Sequence, residues 1–184
     1  LIAGTYNCQI TDANGCVANT GAIVITEPST SLSASIINIV DESCAGLDDG
    51  SLEVVAVGGT LTYSYLWSDG QSGTVASNLL PGTYTCTVTD ANGCSFTTAP
   101  ATVNAAAPLL VSTTAQAPSC NSTTIGIAND GTATATVSGG TGAYFYSWND
   151  NFSQTTATAS NLIVGTYTCT VTDANGCMMP STVT

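Results

Sequence analysis

Apolar and polar residues alternate one by one along most of this chain. Leu52, Val54 and Ala56 alternate with Glu53, Val55 and Val57, and Tyr84, Cys86 and Val88 alternate with Thr83, Thr85, Thr87 and Thr89. A period of two belongs to a β-strand with one buried face. Val, Thr, Tyr, Ile and Trp suit that half-buried, pleated surface, and no helical period survives. The chain is therefore expected to be all-β. Tyr63, Tyr65 and Trp67 share one strand face, as do Tyr144, Tyr146 and Trp148. With Tyr84 and its counterpart Tyr167 they are expected to face the core. Their in-phase placement argues against an exposed sugar-stacking platform.

The alternation recurs in blocks. Residues 4–16 read GTYNCQITDANGC, and residues 82–94 and 165–177 both read GTYTCTVTDANGC. Asp-x-Asn-Gly between alternating runs is a hairpin signal: the Asp accepts turn amides, Asn tolerates unusual backbone angles and Gly supplies positive φ. The turns are Asp12, Asn14 and Gly15; Asp90, Asn92 and Gly93; Asp173, Asn175 and Gly176. The predicted hairpins are 4–12 with 16–25, 83–90 with 94–103, and 166–173 with 177–183. Residues 49–60 also match 130–141, and 63–69 match 144–150. Prolines at 28 and 108 follow strands and mark boundaries. The predicted organisation is the last hairpin of one module (1–27), a complete module (28–107) and a nearly complete one (108–184). Leu1-Ile2-Ala3-Gly4 aligns with Leu79-Leu80-Pro81-Gly82, so the first residues read as module interior and not as a signal peptide. Modules of about 80 residues have small cores, for which disulfides compensate.

Composition narrows the function. The chain has no Lys, Arg or His, and twelve acidic residues give a formal charge of −12. No imidazole is present to act as general base, and no cation to bind phosphate or nucleic acid. No apolar run approaches the roughly 18 residues of a membrane helix, so no membrane insertion is expected. Ser and Thr abound without a base other than carboxylates, so no catalytic residues are expected and the chain reads as a non-enzyme. Lys–Asn crosslinking is excluded by the absence of Lys.

Eight Cys without His favour disulfides over zinc and an oxidising, extracellular compartment. Each module carries three: Cys44, Cys86 and Cys94, then Cys120, Cys169 and Cys177. In the predicted hairpin Cys86 lies four residues below the position opposite Cys94, roughly 13 Å along the strand, too far for a disulfide. The expected pairs are Cys44–Cys94 and Cys120–Cys177, with Cys8, Cys86 and Cys169 as core-facing thiols. Cys44–Cys86, or a bond between adjacent modules, remains open. Asp41, Glu42, Asp48 and Asp49 cluster between strands and make calcium the one cofactor candidate, although Asx turns account for them more simply. No other cofactor is expected. Asn121 and Asn151 begin glycosylation sequons. They lie in the two loops that differ most between modules, 120–130 and 151–160.

The order Cys-loop-Asp-Gly-Ser, Gly-Gly-Thr, Tyr-x-Tyr-x-Trp, Asn-Leu, Gly-Thr-Tyr and Val-Thr-Asp-Ala-Asn-Gly-Cys resembles the SprB-type repeat of large secreted adhesins of gliding Bacteroidetes. The resemblance implies tandem immunoglobulin-like or PKD-like β-sandwich modules in an extended array, type IX secretion, and a cell-surface role in adhesion or gliding. Gly-x-Tyr-x-Cys also resembles the tyrosine corner of immunoglobulin strands, with Trp67 as the core Trp. However, residues 52–57 offer no Cys for the usual inter-sheet bond. The resulting expectation is a structural segment of a long, disulfide-braced adhesin or filament. Its partners would be neighbouring repeats and other copies in a filament. The alternative is a module that binds a surface glycan or protein through loops 120–130 and 151–160.

Overall fold

The computed structural model describes residues 1–27, 30–118 and 129–184. Pro28, Cys120, Asn121 and most of loop 120–130 therefore lie outside the described residues. The described elements are all strands. The first hairpin holds β1 (Gly4–Tyr6), β2 (Gln9–Thr11), β3 (Val17–Asn19) and β4 (Ile23–Ile25). Next come β5 (Ser33–Val40), β6 (Gly50–Val57), β7 (Ser64–Trp67), β8 (Val75–Leu79), β9 (Gly82–Tyr84), β10 (Cys86–Thr89), β11 (Ser95–Thr97) and β12 (Ala101–Val103). The last six are β13 (Leu110–Gln116), β14 (Gly131–Ser138), β15 (Phe145–Trp148), β16 (Thr158–Leu162), β17 (Tyr167–Thr172) and β18 (Met178–Val183). Residue contacts divide the chain into two compact units. One comprises Leu1–Ile37, Glu53–Thr74 and Thr85–Pro100, the other Asn38–Leu52, Val75–Tyr84 and Ala101–Thr184.

The last repeat shows how the alternation becomes a fold. Its sheets run β13-β14-β16 and β15-β17-β18. Ala133 and Ala135 of β14, with Ala159 and Leu162 of β16, pack against Trp148 of β15 and Cys169 and Val171 of β17 in one buried cluster. Two antiparallel sheets, first-second-fourth strand facing third-fifth-sixth, form an immunoglobulin-like β-sandwich. The preceding repeat keeps the same pairing: β5-β6-β8 in one sheet, β7-β10-β11 in another, and β9 with β12. Its inward-phased residues Leu52, Trp67, Leu79, Cys86 and Val88 are likewise buried. On outward faces, threonines bond across strands, as Thr87 with Thr97 at 3.0 Å and Thr168 with Thr182 at 2.9 Å.

Cys86 stands opposite Trp67, and Cys169 opposite Trp148. Both thiols are fully buried, and burial raises their pKa. With no cysteine on β6 or β14 to meet them, they serve as small apolar side chains. Each Trp directs its indole N–H to a loop carbonyl, Gly73 at 3.0 Å or Thr156 at 2.9 Å. Buried this way, neither Trp can stack on a sugar.

Of the eight aromatics expected to face the core, Trp67 and Trp148 are fully buried. Tyr63, Tyr65, Tyr84, Tyr144, Tyr146 and Tyr167 are half-buried, and Tyr144, Tyr146 and Tyr167 pack against the buried cluster of the last repeat. A phenol hydroxyl needs a partner, which keeps such a ring from full burial. Tyr6, Tyr84 and Tyr167 donate to the carbonyls of Ile2, Leu80 and Ile163, each four residues back, the tyrosine-corner geometry. Tyr63 and Tyr144 donate to Gly58 and Gly139. One expectation needs correction: Cys8 is exposed and not core-facing. It lies just before β2, which among the described residues pairs only with β3, whereas β10 and β17 are each flanked on both sides.

Trp148→Ala is expected to cost about 3–5 kcal/mol, the usual loss for a buried aromatic. Phe145→Ala, at an exposed position of the same strand, is expected to stay within about 0.5 kcal/mol. Urea unfolding monitored by far-UV circular dichroism checks both.

Candidate functional site

The turn aspartate is the organising residue of each hairpin. Asp173 Oδ1 accepts the amides of Asn175 and Cys177, both at 2.9 Å, and its Oδ2 accepts the Thr141 amide at 2.8 Å. One carboxylate thus shapes the Asp-Ala-Asn-Gly turn and binds it to the Gly-Gly-Thr turn that follows β14. Asp90 repeats the arrangement with Asn92, Cys94 and Thr60, each at 2.9 Å. Gly139 and Gly140 both take positive φ, 70° and 64°, as do Gly58 and Gly59, which side-chain-bearing residues adopt with strain. A Cβ on Gly140 would also stand 2.8 Å from Asp173 Oδ2. Asp12 makes the same turn contacts, to Asn14 and Cys16, but no second turn reaches it among the described residues. Asp90 and Asp173 are buried, whereas Asp12 is exposed.

A second constellation joins consecutive repeats and lies wholly within one compact unit. Cys44, in the loop between β5 and β6, is disulfide-bonded to Cys177 at the end of the last Asp-Ala-Asn-Gly turn, with Cα atoms 5.6 Å apart. The Asn175 side-chain amide donates to Ser43 O at 3.1 Å and to Thr141 Oγ1 at 3.2 Å. The loop is folded to receive them. Leu47 N–H donates to Cys44 O at 3.0 Å, and the Asp49 carboxylate accepts both the amide and the hydroxyl of Ser43. Next to it, two carboxylates hold the segment between repeats. Asp41 Oδ1 accepts the Asn104 amide at 2.8 Å. Buried Glu42 accepts Ala106 N–H at 3.0 Å and Gly46 N–H at 2.6 Å, and its own N–H donates to Asn104 O.

This corrects both expected disulfides. Cys177 is bonded to Cys44, so neither Cys44–Cys94 nor Cys120–Cys177 exists, and Cys94 is a free, exposed thiol. Cys44 precedes β6 and the Gly-Gly-Thr turn follows it, with eight strand residues between them, roughly 26 Å of strand. Cys44 is bonded instead to the turn cysteine of the next repeat. Cys120 itself lies outside the described residues.

The acidic cluster is occupied in the same way. Asp41, Glu42 and Asp49 are engaged by amides and a hydroxyl, and Asp48 takes a positive φ of 54° in the same loop. Among the described residues no three His, Cys, Asp or Glu side chains gather to hold a metal. In loop 151–160, Asp150 accepts the Gln154 amide at 2.9 Å and Gln154 bridges to Ser160. Asn151 is exposed there. The signal missed by sequence reasoning was Asp41-Glu42 beside Cys44, read as Asx turns with calcium as the alternative and not as a grip on residues 104–106.

Amide donation to a carboxylate favours its charged form. The Thr141 amide chiefly lowers the pKa of Asp173, the Thr60 amide that of Asp90, the Asn104 amide that of Asp41, and the Ala106 amide that of Glu42. The Ser43 hydroxyl does the same for Asp49.

Residues 36–72 and 112–151 each match the family model of the SprB repeat. Two stretches of the chain are thus similar to the SprB repeat. The matched stretches begin within β5 and β13 and hold the Gly-Gly-Thr turns. The strings at 82–94 and 165–177 lie beyond them. A search of curated protein sequences gave no match. Among solved structures, the N-terminal eight Ig domains of DSCAM are 16% identical at a TM-score of 0.44, with 97% of the present chain and 26% of the DSCAM chain covered. The C-terminal 282-residue fragment of intimin, solved with the Tir intimin-binding domain, is 9% identical at a TM-score of 0.36, covering 84% and 62%. The amphioxus IgVJ-C2 molecule is 15% identical at a TM-score of 0.30, covering 82% and 94%. The chain thus spans about a quarter of DSCAM's eight domains, and superpositions this loose carry no functional argument.

Lowered pKa values set the pH response of these repeats. A carboxylate held below its unfolded value contributes stability that is complete above the unfolded value and lost as pH falls through the folded one. No His exists to titrate near neutrality. The melting temperature is therefore expected to be flat between about pH 5.5 and 7.5 and to fall below about pH 4. Thermal melts across pH at fixed ionic strength check this. Asp173→Ala is expected to lower the melting temperature more than Asp12→Ala, because Asp173, unlike Asp12, ties two turns together.

Proposed function

We propose that this chain is a load-bearing shaft segment of a secreted cell-surface adhesin or filament, with no catalytic role. The observation that carries the reading is the joint between repeats. Cys44–Cys177 and the Asn175 bond to Ser43 fix one repeat to the next, and Asp41 and Glu42 hold residues 104–106 just before the next repeat begins. A binding or catalytic module gains nothing from such a joint, whereas a filament under tension gains resistance to bending and unravelling. The SprB match supports a cell-surface adhesin, and the family's association with secretion and gliding supports an extracellular, tension-bearing setting. The absence of Lys, Arg and His, with a charge of −12, suits a surface that repels its neighbours and resists edge-to-edge association. Neighbouring repeats are the partners this reading requires.

The disulfide spans 133 residues of sequence. In a chain pulled from its ends, those residues stay out of the load path until the bond is reduced. Single-molecule stretching is expected to yield about 450 Å more contour length with reductant than without, at about 3.3–3.6 Å per residue. Equal extension in both conditions would contradict the reading. In the chain-entropy account, closure of so long a loop contributes up to about 5 kcal/mol.

A binding role for loop 151–160 rests on one observation: Phe152 is exposed at its tip while Asp150 and Gln154 hold the loop in shape. Saturable binding on a glycan array, abolished by Phe152→Ala, would support that role. No binding would leave the loop a structural insertion.

A further inference from the structure

The joint at Cys177 has an unfilled counterpart one repeat earlier. Residues 82–94 and 165–177 are identical letter for letter, and their turns share the same geometry. Asp90 N–H donates to Cys94 O at 2.9 Å and Asp173 N–H to Cys177 O at 3.0 Å. Around Cys177 the space is filled by the loop of the preceding repeat, with Ser43 O 3.4 Å from the Cys177 sulfur. Around Cys94 there is instead a groove of about 510 Å³, lined by Leu32, Gly59, Asp90, Cys94 and Ser95 among others. Asn175 donates to both Thr141 and Ser43, whereas among the described residues Asn92 makes only the counterpart of the first, to Thr60 at 3.0 Å.

We propose that this groove receives the Cys44-type loop of the repeat before it, and that Cys94 forms a disulfide with that loop's cysteine. Each repeat is then bonded to the one before through the cysteine that closes its turn and to the one after through the cysteine of its first loop, with one thiol left in the core. Three cysteines per repeat, an odd number that no intra-repeat pairing satisfies, follow directly. The array becomes a covalent series. The inference rests on the shaft reading only in that repeats are joined in order.

The bond forms by exchange with a disulfide-bearing thiol oxidoreductase. The Cys94 thiolate attacks the carrier disulfide, forming a mixed disulfide and releasing one carrier thiolate. The loop thiolate then attacks the Cys94 sulfur and releases the second. The two protein cysteines lose two electrons and two protons, and the carrier is reduced to a dithiol.

Non-reducing digestion of the full secreted protein with Asp-N and chymotrypsin, read by mass spectrometry, tests this. Because 82–94 is cut at Asp90, the Cys94 peptide separates from Cys86. The expected product is residues 90–96 joined to a loop peptide of the preceding repeat, lighter than the two free peptides by two hydrogens. A Cys94→Ser variant is expected to release one alkylatable thiol in that preceding loop and to leave Cys44–Cys177 intact. Recovery of the Cys94 peptide as a free thiol, or joined to Cys44, Cys86 or another chain, would overturn the proposal. The stretching experiment reads Cys44–Cys177 alone, so the two ideas fail separately.

Discussion

Everything in the last repeat's joint depends on one buried carboxylate accepting three backbone amides. Asp173 sets the conformation of its own turn and fastens it to the Gly-Gly-Thr turn. Without that tie the turn would be an exposed hairpin tip with no fixed position. With it, Cys177 and Asn175 are presented at a defined place on the end of the sandwich. A buried charge is tolerated there because amides satisfy it. In a chain without a single Lys, Arg or His, amides and hydroxyls are the available donors. The same solution recurs at Asp41, Glu42 and Asp49, so carboxylate-to-amide bonds stand where other proteins place salt bridges.

The glycines make the close approach feasible. Paired positive φ at Gly139 and Gly140 lets the turn fold under Asp173, and the missing Cβ leaves room for its Oδ2. The turn then docks against a loop held by Asp49 and Glu42, and the disulfide closes the contact covalently. Chemistry that looks like a cluster of acids and cysteines is thus a mechanical device. It links a local motif of thirteen residues to the order in which repeats are joined.

Much of this was legible in the sequence. The strict alternation through Leu52, Val54 and Trp67 predicted strands and their buried face, and Asp-Ala-Asn-Gly located the hairpins. Tyrosines share the apolar phase and pack against the core, but only in part, because a phenol hydroxyl reaches for a carbonyl such as Leu80 or Ile163. The misreadings share a cause. Cys44 was paired inside its own repeat because spacing shows distance along the chain and not which end of a sandwich a loop occupies. Eight strand residues place that loop at the far end from its own turn. Likewise Asp41 and Glu42 face residues 104–106, more than sixty positions away, which no local pattern encodes. Pairing between repeats is tertiary information, and a periodic sequence reveals the unit more readily than the joint.

The most direct test is the disulfide map of the chain itself. After blocking free thiols and digesting without reductant, the peptide carrying Cys177 should be found joined to the peptide carrying Cys44. Cys86 and Cys169 should be alkylated only after unfolding. Cys177 joined to Cys120 or Cys169, or Cys44 joined to Cys86 or Cys94, would contradict a joint that fastens one repeat to the next.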